Sequence, residues 1–149
     1  MHSVRAVKPS DTHAWLKMRS EFWSDGSEVE HAAEIEAFFN GSSSEPAAVL
    51  VVESGPLGLV GFAELSIRAC AEGCRTNRVG YLEGWYVTSE ARGRGVGRAL
   101  LEAAEEWART EGCSEFASDA QADSEASVAA HLALGFSDAG LIRCFRKDL

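Results

Sequence analysis

Apolar and polar positions along this chain follow two periods, and the switches between them mark out its elements. Val4 to Val7 is short and alternating and predicts a first strand. Pro9-Ser10-Asp11 supplies a turn and a helix cap. Trp15, Met18 and Phe22 recur at helical spacing, predicting an amphipathic helix that Gly26-Ser27 breaks. A second helix is expected from about Val29 to Phe39, with Ala32, Ala33, Ile35 and Phe38 facing inward. Asn40-Gly41-Ser42-Ser43-Ser44 is a loop by composition. Strands are predicted at Ala47–Val52 and Leu59–Arg68, joined by Ser54-Gly55-Pro56. A polar loop over Ala71–Arg78 leads into Val79–Val87, a mostly apolar run that reads as a buried central strand. An amphipathic segment then runs to Glu111, with Ala99–Arg109 as the body of its helix. A short strand at Phe116–Asp119, a loop at Gln121–Ser124, a helix at Ser127–Leu134 and a last strand at Leu141–Arg146 complete the pattern. The order predicts an α+β fold, a mixed twisted sheet with helices on both faces. No repeat or linker interrupts it, so residues 1–149 read as a single domain.

Between the central strand and its helix lies Arg92-Gly93-Arg94-Gly95-Val96-Gly97-Arg98. The glycines let the backbone approach a ligand closely. The first-turn amides of the helix have no partner inside it and can bond phosphate oxygens. The three arginines add permanent charge and forked donors. Together they suit a pyrophosphate. No Gly-Lys-Ser/Thr follows the glycines, and the run lies past mid-chain, so neither a P-loop nor a dinucleotide fingerprint fits.

Composition narrows the partners. The chain has 149 residues, 46% hydrophobic and 25% charged, as in ordinary globular proteins. Its net charge of −9 argues against nucleic acid, because phosphate contacts need a basic face. An acidic body with one basic loop suits an anionic cofactor and a cationic substrate, although acidity also serves solubility. No apolar run approaches the ~20 residues that span a bilayer, and the first residues lack a signal-peptide core. No membrane association and a cytoplasmic location are therefore expected. Cys70, Cys74, Cys113 and Cys144 form no C-x-x-C, and no His pair stands at zinc spacing, so free thiols and no metal are expected.

Arg92-x-x-Gly95-x-Gly97, after a strand and opening a helix, resembles the acetyl-CoA pyrophosphate motif of the GNAT N-acetyltransferases. His131-Leu132-Ala133-Leu134-Gly135-Phe136 resembles the family's late helix-to-strand turn. Further segments are similar, in register, to aminoglycoside 6'-N-acetyltransferases. They are His13-x-Trp15-x-x-Met18-Arg19-x-x-x-Trp23, Gly61-Phe62-Ala63-x-x-Ser66-Ile67-Arg68, Leu82-Glu83-Gly84 and Gly112-Cys113-x-Glu115-x-Ala117-Ser118-Asp119. The resemblance implies the GNAT fold, acetyl-CoA as co-substrate, an aminoglycoside or other cationic amine as acceptor, and a homodimer. It implies cofactor contacts from the backbone of Trp85, Tyr86 and Val87, from Arg92, Gly93, Arg94, Gly95, Val96, Gly97 and Arg98, and from Ser124. It gives Glu83 and Asp119 catalytic and amine-binding roles, with Glu83 the candidate base, and makes Trp23 a wall of the sugar site. Read as residues alone, Trp23 also suits a core position, Asp119 a turn, and Glu83 a surface carboxylate or a cap.

Several positions depart from the family pattern. Phe145 stands where relatives carry a tyrosine able to protonate the departing thiolate, which leaves the general acid unassigned. Ser24-Asp25-Gly26 replaces a histidine region, Ala71 a tyrosine, Ser124 an asparagine and Gly140 an acid. Asp25, Glu28 and Glu30 offer replacement negative charge. His131, in a run of Ala and Leu, reads as a structural helix histidine. Acetylation of another amine, such as a polyamine or a protein N-terminus, and a non-catalytic acyl-CoA module are the alternative functions.

Overall fold

In the computed structural model, which describes residues 2–149, the predicted order is realised up to the last helix. The elements are β1 (Ser3–Ala6), α1 (Thr12–Phe22), α2 (Glu28–Asn40), β2 (Ala48–Glu53) and β3 (Leu59–Arg68), then β4 (Val79–Val87), α3 (Val96–Thr110), β5 (Glu115–Ser118) and α4 (Glu125–Ala133). The five strands form one sheet in sequence order. The first four pair antiparallel and β5 joins β4 in parallel, so the sheet is mixed.

Period-two alternation sends neighbouring residues to opposite faces. Val52, Ala63, Leu65 and Leu82 meet Val96, Leu100, Leu101 and Ala104 of α3 on one face. Val49, Val51 and Phe62 meet Trp15, Met18 and Ile35 of α1 and α2 on the other. Trp15 is thus a core residue, as its step with Met18 implied.

A buried ion pair ties α1 to the sheet. Glu64 of β3, 2% exposed, accepts from Trp15 Nε1 at 3.0 Å and from Arg19 Nε at 2.6 Å and Nη2 at 3.0 Å. Arg19 also reaches Glu34 at 2.6 Å and His31 Nδ1 at 3.1 Å. A guanidinium only donates, so Nδ1 accepts and Nε2–H donates to the Trp23 carbonyl at 3.0 Å. These bonds correct the inward face expected for α2. Ala32 and Ala33 are exposed, whereas His31 and Ile35 are buried. A histidine with both nitrogens bonded can occupy a core position that its polarity alone disguises.

Asp11 also differs from expectation. It does not cap α1 through its side chain. Its carboxylate accepts from the Lys8 amide at 2.8 Å and from both terminal nitrogens of Arg5, at 2.7 and 3.0 Å. The Arg5 hydrogen bond holds the Asp11 carboxyl below its usual range. A depressed acid stabilises the fold above its unfolded pKa, and that contribution is lost as pH falls through the folded value. Thermal melts of wild type should therefore lose stability below about pH 4, and Asp11→Asn should flatten that part of the profile.

The expected last strand at Leu141–Arg146 does not form. Residues 136–149 carry no regular secondary structure, and Leu141, Ile142 and Phe145 are 83%, 66% and 91% exposed. A strand exists only through a hydrogen-bonded neighbour, and among the described residues none pairs with this segment.

Candidate active site

The loop after β4 is built as a cradle. Gly93 and Gly95 take φ of +75° and +84°, a left-handed conformation that side chains resist. Gly95 is the N-cap of α3, so the first free amides of a fifteen-residue helix open onto the loop. Val96 turns its side chain into the core and leaves its backbone to the loop. Trp85 Nε1 donates to the Gly97 carbonyl at 3.1 Å and fastens β4 to that first turn. His2 Nε2 donates to the Arg94 carbonyl at 2.7 Å. The side chains of Arg92, Arg94 and Arg98 are exposed. Arg92 is partly engaged, because its Nε donates to the Val87 carbonyl at 2.9 Å and its guanidinium lies 5.6 Å from the Tyr86 ring centroid. Burial and a hydrogen bond to Glu21 push the Tyr86 phenol up to about 12. Ser124 is the N-cap of α4, and no side-chain hydrogen bond engages it.

Next to this cradle the sheet opens. β5 pairs with β4 only from Val79 to Leu82 and ends at Ser118. Glu83 to Val87 therefore has one edge without a strand partner among the described residues. A free strand edge presents backbone donors and acceptors to any extended, amide-bearing chain. The cradle lies beyond the Val87 end of this edge. A nucleotide held there by its pyrophosphate can lay an amide-bearing arm along β4 toward Leu82, and the residues present fit acetyl-CoA in this way.

At the inner end of the edge, β4 bulges. Glu64 pairs with Gly84 and Leu65 with Leu82, which leaves Glu83 between them unpaired. The bulge aims Glu83 at Ser66 and Arg68 of β3. Its Oε2 accepts from the Ser66 hydroxyl and from Arg68 Nε at 3.0 Å, and its Oε1 accepts from Arg68 Nη2 at 2.7 Å. The hydrogen bond to Glu83 raises the Arg68 pKa, so the guanidinium stays charged. The Arg68 guanidinium lies 3.5 Å from the Tyr81 ring centroid, and the Tyr81 hydroxyl donates to Asp119 at 2.8 Å. Burial, then the Asp119 bond, push the Tyr81 phenol well up, so it remains a donor. Glu83 and Asp119 thus belong to one connected group, with Arg68 and Tyr81 as its links. The sequence reading missed those links, because Arg68 lies opposite Val79 in the ladder and reaches Glu83 along the strand only through its long side chain.

Trp23 lies against this group. A Cβ built on Gly84 would stand 2.6 Å from the Trp23 ring, so the absence of a side chain there lets the ring rest on β4 beside Glu83. Phe22 and Phe62 flank it at 4.8 and 6.0 Å, and the Arg19 guanidinium lies 5.0 Å from its centroid. Trp23 therefore packs as a core residue while keeping a half-buried ring at the site. Beyond it lies an open cleft of about 420 Å³ whose lining includes Asp25, Glu30 and Glu34. Gly84→Ala should push the ring off β4 and raise the acceptor KM about tenfold, or 1.4 kcal/mol, with acetyl-CoA affinity unchanged. Steady-state kinetics in each substrate checks this.

A mixed sheet opened between β4 and β5, with an anion cradle at the head of α3, presents one continuous place for a nucleotide and an extended arm. The profile of the acetyltransferase (GNAT) family matches residues 14–136. The chain is 52% identical over 146 residues to an aminoglycoside N(6')-acetyltransferase type 1 of Klebsiella aerogenes, covering 98% of this chain and 96% of that one. It is 35% identical to a protein of the same name from Stenotrophomonas maltophilia, over 99% and 94% of the two chains. Among solved structures it resembles AAC(6')-Iy in complex with the bisubstrate analog CoA-S-monomethyl-acetylneamine, with TM-score 0.91, 28% identity and coverage of 100% and 99%. It also resembles the aminoglycoside 6'-N-acetyltransferase AAC(6')-Ih of Acinetobacter baumannii, with TM-score 0.89, 30% identity and coverage of 100% and 99%. The chain belongs to the GNAT acetyltransferase family, and it is an acetyl-CoA-dependent N-acetyltransferase.

Proposed function

We propose that residues 1–149 act as one domain that moves the acetyl group of acetyl-CoA to the 6'-amine of an aminoglycoside. The observation that carries this reading is the group Glu83–Arg68–Tyr81–Asp119 beside Trp23, at the inner end of the open β4 edge. Carboxylates suit ammonium groups and an aromatic face suits a sugar ring. The relatives' names point to the same acceptor.

The loop from Arg92 to Arg98 holds the pyrophosphate, and the backbone of Trp85, Tyr86 and Val87 pairs with the pantetheine arm. An amide of that edge polarises the thioester carbonyl. Glu83 accepts the proton of the attacking amine, directly or through water. Its Oε1 has one protein donor, Arg68, which leaves room for a second. Asp119 and Trp23 orient the sugar, so much of the rate comes from positioning.

The assembly reading is a homodimer. β5 is an edge strand of the sheet, and Leu141, Ile142 and Phe145 stand exposed beyond it. Such a segment finds its partner in a second copy, and light scattering should give twice the 16.0 kDa chain mass. Four cysteines without disulfides suit a reducing cytoplasm. No helix among the described residues is long and apolar enough to cross a membrane.

The deciding experiment measures coenzyme A release with aminoglycosides that have or lack a free 6'-amine, with polyamines and with peptides. Turnover that requires the 6'-amine is the expected result. Turnover on polyamines or peptides alone overturns the acceptor assignment, and acetyl-CoA binding without turnover on any amine overturns the enzyme reading.

A further inference from the structure

The group that protonates the departing thiolate has no assignment in the sequence, and Phe145 is exposed on a segment outside the sheet. The fork between β4 and β5 holds another candidate. Ser118, the last residue of β5, pairs with Leu82, the last residue of β4 that β5 reaches. It stands at the apex of the fork, one residue along the strand from Glu83. An arm laid along the open edge from the Arg92–Arg98 loop ends at this apex.

His131 of α4 meets Ser118 there. Its Nδ1 lies 2.7 Å from the Ser127 carbonyl, and its Nε2 lies 2.9 Å from Ser118 Oγ. Ser118 Oγ is also 3.2 Å from the Leu82 carbonyl and 3.4 Å from that of Asp119. Carbonyls only accept. Nδ1 therefore carries a proton, and a Ser118 hydroxyl turned to a carbonyl leaves its lone pair for a proton on Nε2. All these contacts are made together when both ring nitrogens are protonated. His131 is the basic residue of the last turn of α4, where the helix dipole favours a cation. The ring meets Trp85 edge-on at 5.3 Å and Phe136 at a tilt at 5.0 Å. Trp85 of β4, Ser118 of β5 and Phe136 after α4 stand against it, and none of them carries a charge. Asp119, adjoining Ser118, is engaged by Tyr81.

We propose that Ser118 delivers the proton to the departing thiolate and that His131 resupplies it. This deepens the acetyl-transfer reading above and rests on it. The acceptor nitrogen bonds to the acetyl carbon, and the carbon–sulfur bond breaks with its electron pair on sulfur. Ser118 Oγ–H gives its proton to sulfur, and His131 Nε2–H gives its proton to Ser118 Oγ. His131 is left neutral and regains a proton from solvent, while the proton of the amine leaves through Glu83. Ser118 is the catalytic residue of this step, and His131 acts through it as a positioning and recharging residue.

The test compares wild type with Ser118→Ala, Ser118→Thr, His131→Gln and the Ser118→Ala/His131→Gln double variant, using acetyl-CoA and an aminoglycoside bearing a 6'-amine, from pH 6 to 9. Ser118→Ala and His131→Gln should each lower kcat about 10²-fold, the low end of acid–base effects, with acetyl-CoA affinity unchanged. The double variant should be no worse than either single one. Ser118→Thr, which keeps the hydroxyl, should retain most of kcat. The pH profile of kcat should be flatter in His131→Gln than in wild type. Wild-type kcat in both single variants overturns the relay alone. So does a loss of acetyl-CoA affinity that matches the loss of kcat, since that marks a structural pair. Absence of turnover by wild type on any amine overturns the relay together with the reading it rests on.

Discussion

Glu83→Gln should lower kcat by about 10²–10⁴-fold, the range of a positioned acid or base, and leave acetyl-CoA affinity unchanged. The amide fills the same volume and can still accept from Arg68, but it cannot take a proton from an ammonium. Arg68 keeps its stack on Tyr81, so the wall of the site survives the change. The cradle between Arg92 and Arg98 is built from the far end of β4 and the head of α3, which makes cofactor binding independent of position 83. Steady-state kinetics with calorimetric titration of acetyl-CoA separates the two properties. Lost affinity with intact kcat would contradict the assignment of Glu83.

Gly95→Asp should do the reverse, weakening acetyl-CoA binding by about 10²-fold. Two costs add at this position. Its φ of +84° is strained for any residue with a Cβ, at about 1–2 kcal/mol. The new carboxylate would also stand at the N-cap of α3, where on the reading proposed above the pyrophosphate brings negative charge. Gly95→Ala isolates the first cost and should lose about tenfold, since 1.4 kcal/mol is a factor of ten. Calorimetry on both variants, with the melting temperature as a check on folding, apportions the loss. Equal effects of Ala and Asp would mean that charge at this cap is irrelevant.

Much of the architecture was legible because it is local. The Val79–Val87 run, the glycine loop and the amphipathic helix to Glu111 carry period, turn chemistry and cap within one stretch of chain, and β4, the cradle and α3 appear where expected. Glu83 and Asp119 were legible as a pair only through the resemblance, which gives both amine-binding roles. What was not legible depends on partners distant in sequence. His31 faces the core because Arg19 and the Trp23 carbonyl satisfy it. The bulge that aims Glu83 is a property of register with β3, which strand propensity does not encode. The segment Leu141–Arg146 has the composition of a strand but no neighbour in its own chain, so its pattern alone misplaced it. His131 is a satisfied helix histidine, as expected, but one of its partners, Ser118, lies 13 residues away and was not legible in the pattern.

The Arg68–Glu83 pair changes the character of acceptor recognition. The carboxylate that an incoming ammonium would seek already holds a guanidinium through two hydrogen bonds. On the reading proposed above, an entering ammonium joins Arg68 at this carboxylate through the donor place that Oε1 keeps open, so two cations come to share one seat. The −9 net charge of the chain can draw a polycation toward the surface, but the seat itself is already neutralised by the guanidinium. Selection at this seat then becomes a contest of shape. An amine succeeds when it aims a hydrogen at Oε1 without disturbing the fork of Arg68, and when the rest of its sugar ring finds Trp23.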